Sequence, residues 1–293
     1  MIKLDFSLSL SKTHIYSELA TASPLKRANL GLRRISKLLF KLFKSGITGR
    51  NQDVVGKFYE GVYLVTNDRW LDENKDRRLE VIYKKKLLLV DGFFLRQVHN
   101  QIISQALNEL GCQSVLEVGS GRGNNLVSLA GANPDINFTG LELSPNGTKQ
   151  SLAWKDHSGI RPELLLSDSA PVKNFSFKNL TFKNGTALSM PFPDNSFDAT
   201  FTILALEQLP YNYHKVLKEM RRVSRKYCLF IEPFAEANNF VGMVNLKKAD
   251  YFRFSYHQFK HFGLEPINFF KDFPQKIKYQ MGFLAAKVIK NND

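Results

Sequence analysis

Cysteine is scarce in this chain: Cys112 and Cys228 are the only two in 293 residues. They stand far apart with no metal-ligand spacing, which excludes a disulfide framework or a cysteine-built metal centre and fits buried, inert thiols. Long apolar runs are missing as well. The longest, Leu87 to Leu95, is interrupted by Asp91 and is too short to span a bilayer. The start, Met1-Ile2-Lys3-Leu4-Asp5, lacks the sustained apolar stretch of a secretion signal, so a cytoplasmic location is expected, with contact to a membrane surface left open. Acid is absent where it would matter most for charge balance. Between Lys26 and Arg50 the chain carries Lys26, Arg27, Arg33, Arg34, Lys37, Lys41, Lys44 and Arg50 with no Asp or Glu. That block accounts for much of the net charge of +14, and it favours an anionic partner: RNA, a membrane surface, or a phosphorylated small molecule.

What is present is ordinary for a globular chain, 43% hydrophobic and 23% charged residues. Two regions are expected. Residues 1–94 read as an N-terminal basic helical cap or lid. Its first 25 residues have weak periodicity, an amphipathic basic helix runs from Leu30 to Phe43 and stops at Gly46, and a loop covers Asp68 to Asp76. Phe58, Tyr59, Tyr63, Trp70 and Tyr83 are interspersed there, suited to core packing or to lining a pocket. Residues 95–293 alternate strand and helix patterns and predict an α/β domain. The spacing of Val98, Ile102, Ile103, Ala106, Leu107 and Leu110 predicts a helix ending at Gly111.

The densest signal is Ser114-Val-Leu-Glu-Val-Gly-Ser-Gly-Arg-Gly-Asn-Asn125, an apolar strand entering three glycines, Gly119, Gly121 and Gly123. Glycines there allow a tight turn and close approach of backbone to a ligand, and the helix that follows offers its N–H groups. A dinucleotide fingerprint would require glycine at position 124, which is Asn124. A second strand, residues 136–143, ends in Glu142, roughly 20 residues on, where a carboxylate can accept from ribose hydroxyls. Then come Asn184-Gly-Thr-Ala-Leu-Ser-Met-Pro-Phe-Pro-Asp-Asn-Ser-Phe-Asp198, a strand from Ala199 to Leu206, Glu207-Gln208-Leu209, a helix over Tyr211 to Arg225 and a fifth strand over Tyr227 to Glu232. Four segments in this order resemble the motifs of the class I S-adenosylmethionine-dependent methyltransferases, across roughly residues 95–290.

The resemblance implies a Rossmann-like fold: a mostly parallel seven-stranded sheet with helices on both faces, closed by antiparallel strands near Ile267–Phe270 and Lys278–Val288. It implies S-adenosyl-L-methionine as cofactor, no metal, and a cofactor site of Glu117, Gly119, Ser120, Gly121, Gly123, Glu142, Leu143, Thr186, Ala187 and Leu204. Two positions depart from the family pattern. Thr186 stands where an acid commonly meets adenine, and Gln208 where a histidine commonly follows the fourth strand. The second departure leaves the proton acceptor open. His214 and Glu207 are the first candidates, followed by Glu232, Glu236 and His257, with Tyr211 and Tyr213 as residues that could orient an acceptor. The Asn/Asp-Pro-Pro-Tyr/Phe motif of amino-group methylation on bases is absent after the fourth strand, as is a Pro-Cys nucleophile. A small-molecule acceptor methylated on oxygen or nitrogen is therefore expected. The alternatives are an RNA or membrane-associated substrate recruited by Lys26–Arg50, or a non-catalytic interaction module.

Overall fold

The computed structural model describes residues 50–156 and 177–290, the strand Ile15–Leu19, and positions 4, 6, 8, 161 and 164–166. The basic residues from Lys26 to Lys44 lie outside the described residues, as does most of the proline-containing stretch between 157 and 176.

The central sheet contains β4 (Ser114–Val118), β5 (Asn137–Glu142), β6 (Leu180–Asn184), β7 (Phe197–Ile203), β8 (Ser224–Glu232), β9 (Leu264–Phe270) and β11 (Gly282–Val288), ordered β6-β5-β4-β7-β8-β11-β9. Strands β4 to β8 pair in parallel, while β11 runs antiparallel to both β8 and β9. Its strands are apolar on both faces, as a sheet covered on both sides requires. Val115, Leu229, Ile231 and Phe283 enter one core with Ile102, Ile103, Leu126 and Leu129 from α3 (Phe94–Glu109) and α4 (Asn124–Ala132). Their neighbours Leu116, Cys228, Phe230 and Leu284 enter the opposite core. There they meet Val216, Leu217, Met220 and Val223 of α5 (Tyr213–Val223). The period-2 alternation of strand side chains thus sorts two hydrophobic layers. Both cysteines are buried and free, and burial pushes the Cys228 thiol up to about 11.

The N-terminal region differs from the helical cap that the sequence suggests. It holds α1 (Gln52–Val62) and α2 (Asn67–Lys75), but also a second sheet. That sheet is ordered β1-β3-β2-β10 and entirely antiparallel, from β1 (Ile15–Leu19), β2 (Arg78–Tyr83), β3 (Lys86–Asp91) and β10 (Gln275–Lys276). The β2–β3 hairpin turns at Lys84 and Lys85, both in left-handed backbone with φ of 45° and 65°. Such a turn normally announces itself with Asn-Gly or Asp-Gly, so two lysines hide it. The expected loop at Asp68 to Asp76 is helix α2, capped by Thr66 with Asp68 in its first turn and Lys75 in its last. Leu4 is buried and Phe6 stacks on Phe270 at 5.0 Å, so the described start of the chain is packed on the core. Asp91, which interrupts the apolar run, accepts from the backbone N–H groups of Phe93 and Phe94 and starts α3.

Candidate active site

The carboxyl end of β4 delivers the glycine turn. Gly119, Gly121 and Gly123 all have positive φ, 79°, 55° and 76°, a region costly to residues with a Cβ. Space is equally restrictive: a Cβ would lie 2.6 Å from Cβ of Ala205 at Gly119, 2.8 Å from the Tyr63 hydroxyl at Gly121 and 2.7 Å from the Phe182 ring at Gly123. Gly123 is the residue preceding α4, so that helix points its free N–H groups at the turn.

Two acids flank the turn. Glu142, at the end of β5, accepts from the N–H of Gly121 at 2.8 Å and from the N–H of Ser144 at 2.8 Å. Burial raises its carboxyl above the ordinary range, opposed by those backbone donors. Each oxygen keeps accepting capacity for a ligand hydroxyl. Glu117 is buried beneath the turn; one oxygen accepts from Asn125 Nδ2 at 2.7 Å and the other has no hydrogen-bond partner. Burial pushes Glu117 up to about 7, against the Asn125 hydrogen bond and the Arg96 charge. The hydroxyl of Ser120 is likewise buried without a partner. A cradle that a Cβ would fill, with orphaned acceptors set around it, fits a ligand that brings donors of its own.

A cavity of about 490 Å³ opens from this cradle, within the range of small-ligand sites. Ser120, Glu142, Leu143, Thr186, Ala187 and Leu204 line it together with Gly119 and Gly121. The residues expected at a cofactor site are thus gathered in one place, with Glu117 and Gly123 supporting the turn. Leu204 itself is left-handed, φ 58°, where the chain leaves β7. Helix α1 supplies the covering side. Its Gln52 accepts from the Thr186 hydroxyl, Gly56 approaches Leu143, Glu60 accepts from the Ser144 hydroxyl, and the Tyr63 ring stands over Gly121 and Gly147. Thr186 therefore spends its one donor within the protein and also accepts from the N–H of Leu188.

After β7 the chain forms a short 3-10 turn at Leu206–Gln208, held by a fully buried acid. Glu232 accepts from the N–H groups of Ala205, Leu206 and Glu207 at 2.9 to 3.0 Å, so its role is to anchor this turn. Glu207 is also buried; one oxygen accepts from Gln208 Nε2 at 2.9 Å and the other is unpaired. Burial pushes Glu207 up to about 7, opposed by Lys276, Gln208 and Arg50. Gln208, standing where the family commonly has histidine, accepts from Arg50 Nη1, and Arg50 in turn lies 4.6 Å above the Tyr251 ring. The other candidates scatter. Neither His214 nor Glu207 is among the cavity's lining residues; His214, at the start of α5, packs edge-on to Tyr213. Glu236 bonds Ser255 and Tyr256; Tyr211 and Tyr213 donate to Asp250 and Gln258; His257 is exposed in the 3-10 turn Tyr256–Phe262.

His99 of α3 and Lys276 of β10 line the cavity yet carry no motif and escape a reading of the sequence, whereas Tyr59, Tyr63 and Trp70, among the aromatics expected to pack or to line a pocket, do line it. His99 is almost fully buried and burial holds it down to about 3, so it is a neutral imidazole.

Residues 116–231 match the family model described as "Methyltransferase domain". Curated relatives include a demethylmenaquinone methyltransferase of Geobacillus kaustophilus, 25% identical over 162 residues, covering 53% of this chain and 62% of that protein. Another, from Anoxybacillus flavithermus, is 44% identical over 54 residues, 18% of this chain and 22% of that protein. The chain thus spans less than two thirds of the length of these relatives. Among solved structures, magnesium protoporphyrin IX methyltransferase from Synechocystis PCC 6803, with bound S-adenosylhomocysteine, superposes with a TM-score of 0.55 at 12% identity, over 81% of this chain and all of that one. That likeness establishes the fold. The order of strands, the glycine cradle at the end of β4 and the match over 116–231 agree: these residues match a methyltransferase domain and sit in the Rossmann-like fold of the class I methyltransferases.

Proposed function

We propose that this protein transfers a methyl group to oxygen or nitrogen of a small-molecule acceptor enclosed in the cavity above the glycine turn. The observation that carries this reading is that one cavity joins the cradle of Gly119, Gly121 and Glu142 to side chains from α1, α3 and β10, outside the matched domain. When bound, S-adenosylmethionine supplies an activated methyl group, so the protein's task is alignment and exclusion of water. In this reading the glycine turn and Glu117 hold the methionine end, Glu142 the ribose, and Leu143, Thr186, Ala187 and Leu204 the adenine. Thr186 offers the adenine an acceptor only, since its proton is committed to Gln52. Helix α1 and the N-terminal region, residues 1–94, act as the lid over a core formed by 95–293.

Glu207 is the proton acceptor we favour over His214. Its unpaired oxygen and raised carboxyl suit a base that works near neutral pH, and its charge acts on Tyr59 and Lys276, both lining residues. The basic segment Lys26–Arg50 is the place where an anionic surface would recruit the enzyme. The test is release of S-adenosylhomocysteine from S-adenosylmethionine on a panel of phenols, quinols and amines. Acceptor-dependent release supports the reading. Saturable cofactor binding with no transfer to any class in the panel would contradict it and favour an interaction module.

A further inference from the structure

Among the cavity's lining residues are four cations, Arg77, Arg96, Arg122 and Lys276, against a single carboxylate, Glu142. Two of the cations are committed within the protein. Arg122 donates to the carbonyls of Val62 and Val65, and Arg96 donates to Asn125 and lies 5.2 Å above the Trp70 ring. The other two are not. Among the described residues neither the Lys276 ammonium nor the Arg77 guanidinium has a hydrogen-bond or ion-pair partner; Lys276 lies 5.8 Å above the Tyr279 ring and feels Glu207 only through space. A partly buried ammonium without a direct counter-charge is expensive to keep.

Its position is nonetheless rigidly built. The neighbouring Gln275 is buried, donates to the carbonyls of Lys271 and Met281 and accepts from the N–H of Met281, which clamps the 271–281 loop. Strand β10 then pairs Lys276 with Val81 of β2. The surroundings are mixed: Leu79, Leu95 and Trp70 are apolar, and the neutral His99 offers one donor and one acceptor. This end of the cavity comes from the second sheet and α3, whereas the cradle comes from β4 and β5.

We infer that the Lys276 end is the acceptor subsite, and that the acceptor bears a carboxylate or phosphate on a flat, apolar body, its anion held by Lys276 with Arg77. The inference rests on the methyltransferase reading for the word acceptor, though not for the preference for anions. An anion there would receive charge-assisted hydrogen bonds, while the apolar walls and His99 would orient the remainder.

The test is calorimetric titration of the full chain, saturated with S-adenosylhomocysteine, with 4-hydroxybenzoate, phenyl phosphate and uncharged phenol. Lys276→Met and Lys276→Arg are measured alongside, with near-UV circular dichroism and melting temperature as checks of folding. At least one anionic probe should bind more tightly than phenol, and the two anions distinguish a carboxylate from a phosphate preference. The Met variant should lose about tenfold or more in that affinity, with Arg restoring most of it, and cofactor product should bind all three proteins alike. Phenol binding as well as the anions, a folded Met variant that binds them unchanged, or no binding of either anion would overturn the subsite. Anion binding that depends on Lys276 in a folded protein with no affinity for S-adenosylhomocysteine would instead retain the subsite and remove the methyltransferase reading.

Discussion

The cradle is drawn from the stretch Glu117 to Asn125 with Glu142 at the end of β5, and its turn is made by backbone, whereas the rest of the cavity wall is assembled from Tyr59 on α1, Tyr63 just after it, His99 on α3 and Lys276 on β10, with the charge of Glu207 acting on Tyr59 and Lys276. The first depends on glycine conformation at fixed spacing and tolerates little change. The second depends on where a separate sheet and helix place side chains, so the same cradle can face different acceptors in different chains. Affinity for the cofactor should therefore follow the cradle, and turnover should follow the wall.

That contrast can be broken at Glu207 with the largest effect. Replacing it with Gln should lower the turnover of methyl transfer by roughly 10²–10⁴, the range for loss of a general base, while the affinity for S-adenosylhomocysteine stays within about twofold. Labelled-methyl kinetics beside calorimetry would check both numbers, and equal losses in both would place Glu207 in the cradle instead.

The same variant sharpens the comparison through pH. The Glu207 carboxyl is raised from its ordinary value of 4.5 to about 7, so the folded state favours its protonated form. Its contribution to stability is whole below pH 4.5 and is lost as pH rises through 7. Glu117 and Glu232, raised to about 7 and about 8, carry the same sign. Wild type should lose stability from pH 5 to 8, and Glu207→Gln should lose less, with a gain over wild type at pH 8 of at most about 3 kcal/mol. Urea titrations at the two pH values would show it; parallel curves would mean that Glu207 titrates normally in the folded protein.

On the cradle side, Gly121→Ala forces a Cβ into left-handed backbone 2.8 Å from the Tyr63 hydroxyl. A cost of about 1–2 kcal/mol, roughly tenfold in cofactor affinity, is expected, without change in the affinity of a probe held at Lys276. If both affinities fall together, the two walls are not separable.

The cradle and the central sheet were legible because their signals are local: glycines two residues apart, apolar strands, and acids at fixed distances. Strand and helix bounds moved by only a few residues, as with the helix expected from Tyr211 to Arg225 that runs Tyr213–Val223. The second sheet was not legible, because Lys84-Lys85 conceals its hairpin turn and its partner strand β10 is two residues long and about 190 positions away in sequence. His99 lies on a helix face that reads as core, and Lys276 among other lysines reads as surface. His214 stands apart for a related reason: closeness to β7 in sequence does not bring it to the cavity's lining, whereas the turn anchored by Glu232 sets the charge of Glu207 on Tyr59 and Lys276, which do line it.

The most direct test of the account is calorimetric titration of S-adenosylhomocysteine into wild type, Glu142→Ala and Glu142→Gln, each checked for folding. Saturable one-to-one binding that weakens by about 1.5–3 kcal/mol in the Ala variant is predicted, as expected for loss of hydrogen bonds to a charged group. A folded wild type that gives neither heat nor thermal stabilisation, or an Ala variant that binds as tightly as wild type, would contradict the assignment of this cradle to the cofactor.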